Sequence, residues 1–156
     1  MELTFNELTP QNPYLELFCQ LFDHLPLGIS VHDVNNVIVY YNRALAAIDD
    51  MEPAEVIGRP INEVFRPFDS KGLLSQRCMD TRRHFLNHHL FYYTRLGKLV
   101  NSIHHVFPLT RGNRLLGCIC FVEAYKEPSM LPELPAENKS RSDVNPADRG
   151  GHYTFD

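Results

Sequence analysis

The sequence lacks a long apolar run and a leader segment. No stretch approaches the roughly 18 to 20 apolar residues that a transmembrane helix requires. Residues 1–7 (MELTFNE) also lack the basic start and the apolar core that define a secretory signal. These two absences predict a cytoplasmic protein without a membrane partner.

The sequence also lacks an excess of positive charge. It holds 15 lysines and arginines against 19 aspartates and glutamates, which gives a net charge of -4 and a pI near 6.0. Domains that hold nucleic acid usually carry a basic face. The 156 residues suit one ordinary domain, and we do not expect them to bind DNA by themselves.

Paired cysteine motifs and familiar catalytic motifs are missing. The four cysteines (Cys19, Cys78, Cys118 and Cys120) form no CxxC pair. On one strand, Cys118 and Cys120 would lie about 7 Å apart, which is too far for an unstrained disulfide. GxSxG, HExxH and phosphate-loop motifs are absent from the sequence. We therefore expect reduced thiols and no enzyme activity.

Composition divides the chain into four segments. Residues 12–126 carry the apolar pattern of a domain and follow an N-terminal arm at 1–11. Residues 127–151 hold four prolines, several serines and alternating charges, which predicts a flexible linker. Aromatic residues return at 152–156, which we interpret as the start of a missing downstream domain.

An amphipathic helix is predicted from Pro13 to Leu25. Asn12 can cap this helix, Pro13 suits its first position and Pro26 stops it. Its stripe of large apolar side chains, which Leu15 widens, is broader than one packing face needs. We therefore expect a homodimer that uses part of this stripe. The candidate interface residues are Tyr14, Leu17, Phe18, Leu21, Phe22 and Leu25.

The remaining pattern predicts strands and shorter helices. Turn residues at 33–36, 95–98 and 110–113 join neighbouring strands as hairpins. The expected strands are Gly28–Asp33, Val37–Tyr41, His88–Thr94, Leu99–Leu109 and Arg114–Tyr125. The expected helices are Arg43–Ile48, Pro53–Ile57, Ile61–Phe65 and Ser70–Arg82. This order predicts an α+β fold with one five-stranded antiparallel sheet.

Three segments in this order resemble a PAS sensor domain. Residues 24–48 contain a strand that reaches Asp33, a turn, and a second strand that leads to Asn42 and a short helix. Residues 52–65 (EPAEVIGRPINEVF) are similar to the PAS segment of two short helices, and residues 97–127 match its two final strands. The resemblance implies short helices over one sheet face, around a ligand cup, and an N-terminal helix over the other. One departure is Thr81–Arg82, where relatives often have Thr-Gly as a helix cap.

The last seven residues carry a second resemblance. Residues 150–156 (GGHYTFD) resemble the lead-in to the AAA+ ATPase of sigma-54-dependent transcriptional activators of the arginine-catabolism regulator type. This implies a sensory domain that controls a downstream ATPase, with DNA and the sigma-54 RNA polymerase as partners only through absent domains. The sensor of a histidine kinase or of a cyclic-dinucleotide enzyme is the alternative within the fold. A small cone-shaped α+β isomerase or dehydratase is the alternative outside it, although its strands usually come later.

Polar side chains within the apolar strands are the candidate ligand contacts. Burying such a group without a partner costs about 1–3 kcal/mol, so it should meet another polar group or a ligand. A small polar metabolite such as an amino acid would suit them. The candidates are Ser30, Tyr41, Tyr93, Asn101, Ser102 and His104. Because both sheet faces should be covered, strand parity leaves open which of these face the cup.

Histidine is frequent, with eight in the chain. The pairs His88–His89 and His104–His105 raise the alternative of a metal site or an axial haem ligand. Adjacent strand residues point to opposite faces, however, and no third ligand has a fixed spacing. The sequence therefore predicts neither cofactor nor metal, with haem or a metal as the weaker alternative.

Overall fold

The structure is a computed structural model that describes residues 13–67 and 70–126. The described residues up to Tyr125 belong to one compact unit. The predicted arm at 1–11, the predicted linker at 127–151 and the predicted start of a further domain at 152–156 lie outside the described residues. Within the described ranges, no helix combines the length and the apolarity needed to cross a bilayer.

One antiparallel sheet of six strands forms the centre of the fold, in the order β2-β1-β6-β5-β4-β3. The strands are β1 Gly28–Asp33, β2 Ile38–Tyr41, β3 Phe65–Pro67, β4 Phe85–Thr94, β5 Leu99–Arg111 and β6 Arg114–Ala124. The α+β prediction with one antiparallel sheet is confirmed, but the predicted count of five strands is one short. The additional strand β3 has three residues, which pair with β4 and are too few to show an alternating pattern.

Five helices accompany the sheet: α1 Pro13–Phe22, α2 Arg43–Asp49, α3 Pro53–Val56, α4 Ile61–Val64 and α5 Leu74–Thr81. Helix α1 ends three residues before the predicted Leu25, where the N–H groups of His24 and Leu25 donate to carbonyls only three residues back. Pro26 then disfavours helical backbone at Leu25. Helix α5 begins at Leu74 rather than Ser70, because Gly72 adopts a φ of +79° that a right-handed helix excludes. It ends because Arg82 itself takes the left-handed conformation, with a φ of 56°.

Two side chains fix the connection between the first strands and α2. The Asp33 carboxylate accepts hydrogen bonds from the backbone N–H groups of Asn35 at 2.9 Å and Val37 at 3.0 Å, which closes the β1–β2 turn. Asn42 then caps α2 by accepting from the N–H of Leu45 at 3.0 Å. The same oxygen accepts from the N–H of Ile29 in β1 at 2.8 Å.

Each face of the sheet has its own apolar layer. The inner face packs on α2 to α5 through a cluster that includes Ile38, Leu45, Val56, Val64, Leu74, Cys78, Val106, Cys118 and Val122. The outer face carries a smaller cluster of Ile29, Val31 and Tyr40, against which α1 packs with Cys19 and Phe22. The sheet therefore separates a helix-covered cup from an outer layer that α1 covers in part.

Candidate ligand site

A cavity of about 90 Å³ lies in the cup between the inner sheet face and the helices. Its polar wall residues are Ser30, His32, Asp49, Ser75, Tyr92, His104 and Cys120. Its apolar wall includes Leu45, Ile61, Phe65, Leu74, Val106 and Val122. The wall thus joins residues from β1, β3, β4, β5 and β6 with residues from α2, α4 and α5.

The structure places the six predicted ligand contacts in different surroundings. Ser30 and His104 line the cavity, and the hydroxyl of Ser102 lies 2.8 Å from the His104 ring. Tyr41 is buried in the inner layer, where its hydroxyl donates to a cavity residue, Asp49. Two of these four residues thus line the cavity, and the other two bond a residue of its wall. Their role as ligand contacts stays a prediction.

Tyr93 and Asn101 lie on the other face of the sheet. They alternate along β4 and β5 with Tyr92 and Ser102, which face the cup. The guanidinium of Arg66 lies 5.3 Å from the centre of the Tyr93 ring, and the Asn101 oxygen bonds the ring of His89. The sequence did not show which positions of these strands face the cup, because both faces of the sheet carry apolar residues.

Asp49 places a carboxylate in the cavity wall at the end of α2. The hydroxyl of Tyr41 donates to its Oδ2 at 2.6 Å, and the hydroxyl of Tyr92 donates to its Oδ1 at 2.5 Å. Asp49 is 1% exposed, and this burial raises the pKa of its carboxyl to about 6, although both hydroxyls favour the charged form. Burial beside this carboxylate also raises the pKa of both tyrosines.

A second polar group surrounds the buried His32 ring on β1. Its Nδ1 lies 2.7 Å from Oδ1 of Asn36, and its Nε2 lies 2.9 Å from the hydroxyl of Ser30. Because the Asn36 oxygen can only accept, Nδ1 carries a proton and Nε2 of the neutral ring accepts from Ser30. The thiol of Cys120 lies 3.9 Å from the same Nε2. A hydrogen-bonded chain therefore begins at Asn36, behind the wall, and reaches Ser30 and Cys120 in the wall through His32.

The two histidines of the wall differ in their tendency to take a proton. Burial lowers the pKa of His104 to about 4, so that this ring is neutral at physiological pH. Burial also lowers the pKa of His32, but Cys120 and Asn36 raise it more, and the net shift is upward. Of these two rings, His32 therefore holds a proton more readily than His104.

The family follows from a comparison with known proteins. A family described as the PAS fold matches residues 22–125, which is more than half of the chain. The chain belongs to the PAS family. Transcriptional activator RocR of Bacillus subtilis (strain 168) is 23% identical to it over 140 residues, which make up 90% of this chain and 28% of RocR. The chain therefore spans just over a quarter of that relative's length.

Solved PAS domains share the architecture. The PAS domain of a protein from Colwellia psychrerythraea superposes with a TM-score of 0.60 at 16% identity, over 72% of this chain and 97% of that domain. The PAS domain of nitrogen regulation protein NR(II) from Vibrio parahaemolyticus gives a TM-score of 0.55 at 12% identity, over 70% of this chain and 98% of that domain. At these identities, the likeness shows the fold.

The PAS cup of this chain is small. Pockets for drug-sized ligands enclose about 300–1,000 Å³, whereas a cavity of about 150 Å³ accepts benzene. A cavity of about 90 Å³ therefore suits a molecule of a few heavy atoms, and a haem or a flavin would require the helices to move outward. Among residues 13–67 and 70–126, no three His, Cys, Asp or Glu side chains form a group that could hold a metal ion.

Sequence reasoning missed several wall residues of the PAS cup. His32 lies two positions from Ser30 on the same strand, so parity would have placed it on the same face once Ser30 was chosen. Cys120 faces the cup opposite Ser30 in the β1–β6 register, which only the pairing shows. Nothing in the sequence marked Asp49 as a wall residue, because the end of a short helix is usually exposed.

Proposed function

We propose that this chain is the cytoplasmic sensory PAS domain of a sigma-54-dependent transcriptional activator and that it has no catalytic role. In this proposal, a small polar metabolite such as an amino acid binds in the cup and controls a downstream ATPase. The observation that carries the sensory part is the cavity of about 90 Å³ with hydrogen-bonding groups in its wall. PAS domains typically serve as sensors, which agrees with this assignment.

Two observations support the activator context. The similarity to Transcriptional activator RocR extends over 90% of this chain, beyond the PAS match at residues 22–125. The resemblance of residues 150–156 to an ATPase lead-in points to the same architecture. DNA and the sigma-54 polymerase would then be reached through domains that follow Asp156.

The sequence that follows Asp156 in the gene tests this context directly. We expect a phosphate-binding loop of the GxxxxGK[ST] type within about a hundred codons. A histidine-kinase or cyclic-dinucleotide catalytic domain at that place would overturn the activator assignment and leave the sensory assignment intact.

We further propose that the chain forms a homodimer through α1. Four large side chains of α1 and of the turn that follows it are exposed: Leu17, Phe18, Leu21 and Leu25, with exposed fractions of 55, 51, 56 and 43%. Such a strip on a soluble protein usually marks an interface. The only charged residue between Pro13 and Phe22 is Glu16, so the strip offers little charge for an unlike partner to match. A second copy of the same strip is complementary by symmetry.

Phe22 belongs to this proposal in a different way. Its ring packs 6.1 Å from the ring of Tyr40 on the outer sheet face, and it is half-buried there. Phe22 therefore fixes α1 on the sheet, while the four exposed residues remain for the partner copy. The side chain of Tyr14, the sixth predicted interface residue, lies outside the described part of the chain.

Asn42 links the cup to this strip. Its oxygen caps α2, which contributes Leu45 and Asp49 to the cavity wall, and its Nδ2 donates to the carbonyl of Phe22 at 3.1 Å. A ligand that shifts α2 would act on the end of α1 through this one side chain. We propose this contact as the route from ligand to dimer.

Native mass spectrometry and thermal melting of the freshly purified 156-residue chain test the sensory proposal. We expect a bound small molecule, or a rise in melting temperature with a metabolite mixture that Val106→Phe abolishes by filling the cavity. Leu109→Phe, on the outer face of the same strand, is the matched control and should keep the response. A wild-type chain with neither a bound mass nor a thermal response would overturn ligand sensing.

A further inference from the structure

Helix α5 presents its N-terminus to the cavity without a capping side chain. Leu73 occupies the cap position and makes no side-chain cap hydrogen bond, and the residues from Gly72 to Ser75 all line the cavity. The first N–H groups of a helix have no partner within the helix, and together they carry a partial positive charge. This end of α5 therefore offers donors to whatever occupies the cavity.

Ser75 provides an independent indication of a ligand at the same place. It is 4% exposed, and its Oγ has no hydrogen-bond partner in the part of the chain that the structure describes. Buried hydroxyls in native proteins almost always have a partner, so an orphaned one at a cavity wall marks a position for an absent acceptor. The hydroxyl and the helix N-terminus both donate, and both lie on the α5 side of the cavity.

We propose that the end of α5 binds the carboxylate of a small monocarboxylic acid whose short apolar chain fills the rest of the cavity. This inference rests on the proposed ligand-sensing function. Leu45, Leu74 and Val106 in the wall suit a short alkyl chain better than the further oxygens of a phosphate or sulfate. The polar wall groups Ser30 and His32 already hydrogen-bond to each other. The Asp49 carboxylate does not compete with the ligand for the donors of α5, because its oxygens already accept hydrogen bonds from Tyr41 and Tyr92. The volume of about 90 Å³ limits the acid to a few heavy atoms.

Titration of the ¹⁵N-labelled full chain with sodium propionate, propionamide and sodium phosphate, at constant ionic strength, tests this site. Propionate should shift the amide signals of Leu74, Ser75 and Gln76 in a saturable way. Propionamide has the same shape without the charge, and we expect it to bind at least about 10-fold more weakly. Equal binding of propionamide, or tighter binding of phosphate, would overturn the carboxylate assignment.

Ser75→Ala separates a ligand site from a merely structural serine. We expect the variant to bind propionate about 10-fold more weakly, because a hydrogen bond to a charged group is lost. In the absence of ligand, its melting temperature should rise by a few degrees, because a buried hydroxyl without a partner is removed. Ser70→Ala, at an exposed position before α5, should change neither quantity.

The outcomes distinguish this inference from the function on which it rests. Propionate that binds Ser75→Ala as tightly as the wild type overturns the carboxylate site. A co-purified or added metabolite that binds the cup while propionate does not also overturn it, and ligand sensing then stands. The absence of binding by both propionate and a metabolite mixture overturns the inference and the sensory function together.

Discussion

The buried carboxylate of Asp49 makes the stability of the fold depend on pH. Its pKa lies near 6 in the folded chain, above the ordinary value of 3.8, because burial penalises the charged form. The folded state therefore holds this proton more tightly than the unfolded state. Its contribution to stability is fully present below about pH 4 and is lost as the pH rises through about 6.

We expect the free energy of unfolding to fall by about 2 kcal/mol between pH 4 and pH 7 through Asp49 alone. Urea unfolding of the wild type and of Asp49→Asn at both pH values measures this contribution as the difference between their pH slopes. Asp50→Asn is the matched control, because Asp50 is exposed and asparagine also tolerates its left-handed φ of 56°. Equal slopes in the wild type and Asp49→Asn would contradict the prediction.

Asn42 makes four hydrogen bonds from a fully buried position. Its oxygen accepts from Ile29 and Leu45, and its Nδ2 donates to the carbonyls of Phe22 and Leu27. Asn42→Ala leaves these groups without partners, and we expect a loss of about 3–5 kcal/mol in chemical denaturation. Asn35→Ala, in the exposed turn, should cost less than about 0.5 kcal/mol. A loss of below about 1 kcal/mol for Asn42→Ala would mean that water or rearrangement replaces these bonds.

At the scale of elements, the end of α5 shows how a helix stops without glycine. Arg82 takes the left-handed φ of 56° that glycine adopts freely, and a side chain there costs about 1–2 kcal/mol. Its Nη1 donates to the carbonyl of Asn113 at 2.6 Å, but the contact is exposed and compensates only in part.

Arg82→Gly should therefore raise the free energy of unfolding by about 0.5–1 kcal/mol, measured in urea at pH 7. Asp80→Gly tests the reverse case two residues earlier, where the backbone is helical, and should lower stability by about 1 kcal/mol. A decrease in both variants would show that the bond from Arg82 to the β5–β6 turn contributes more than the backbone strain.

The strands were predictable from the sequence because their signals are local. The strands β1, β2 and β6 match their predicted bounds to within one residue, since alternating or continuous apolar runs end at turns with Gly112 or Asn36. Strand β3 was not predictable, because only its pairing with β4 defines a strand of three residues. The start of α5 was not predictable either, because it depends on the positive φ of Gly72. The cup residues divide in the same way. Ser30 and His104 were found as polar residues in apolar strands, whereas Asp49 and Ser75 lie on helices that only the tertiary fold brings to the cavity.

At the scale of the whole molecule, the sheet stands between two surfaces that function would have to connect. The cup lies on the inner face, and the strip of Leu17, Phe18, Leu21 and Leu25 lies beyond the outer face. Asn42 connects the elements that carry them, because it forms hydrogen bonds to α1, β1 and α2. This arrangement places any dimer contact of α1 one side chain away from a helix of the cup.

The proposed dimer predicts a specific response to charge on the strip. Each leucine buried in an interface contributes about 1.5–3 kcal/mol, and a twofold interface contains every substituted position twice. Leu17→Asp combined with Leu21→Asp should therefore weaken the dimer by at least about 100-fold in sedimentation equilibrium. The fold should persist, because both side chains are more than half exposed at 55 and 56%.

Gln20→Asp combined with His24→Asp adds the same number of carboxylates at exposed polar positions and should leave the dimer intact. A wild-type chain that is monomeric at tens of micromolar would contradict the dimer, and a leucine variant that remains dimeric would move the interface to the exposed residues of β4 and β5, Leu86, Phe91 and Leu99.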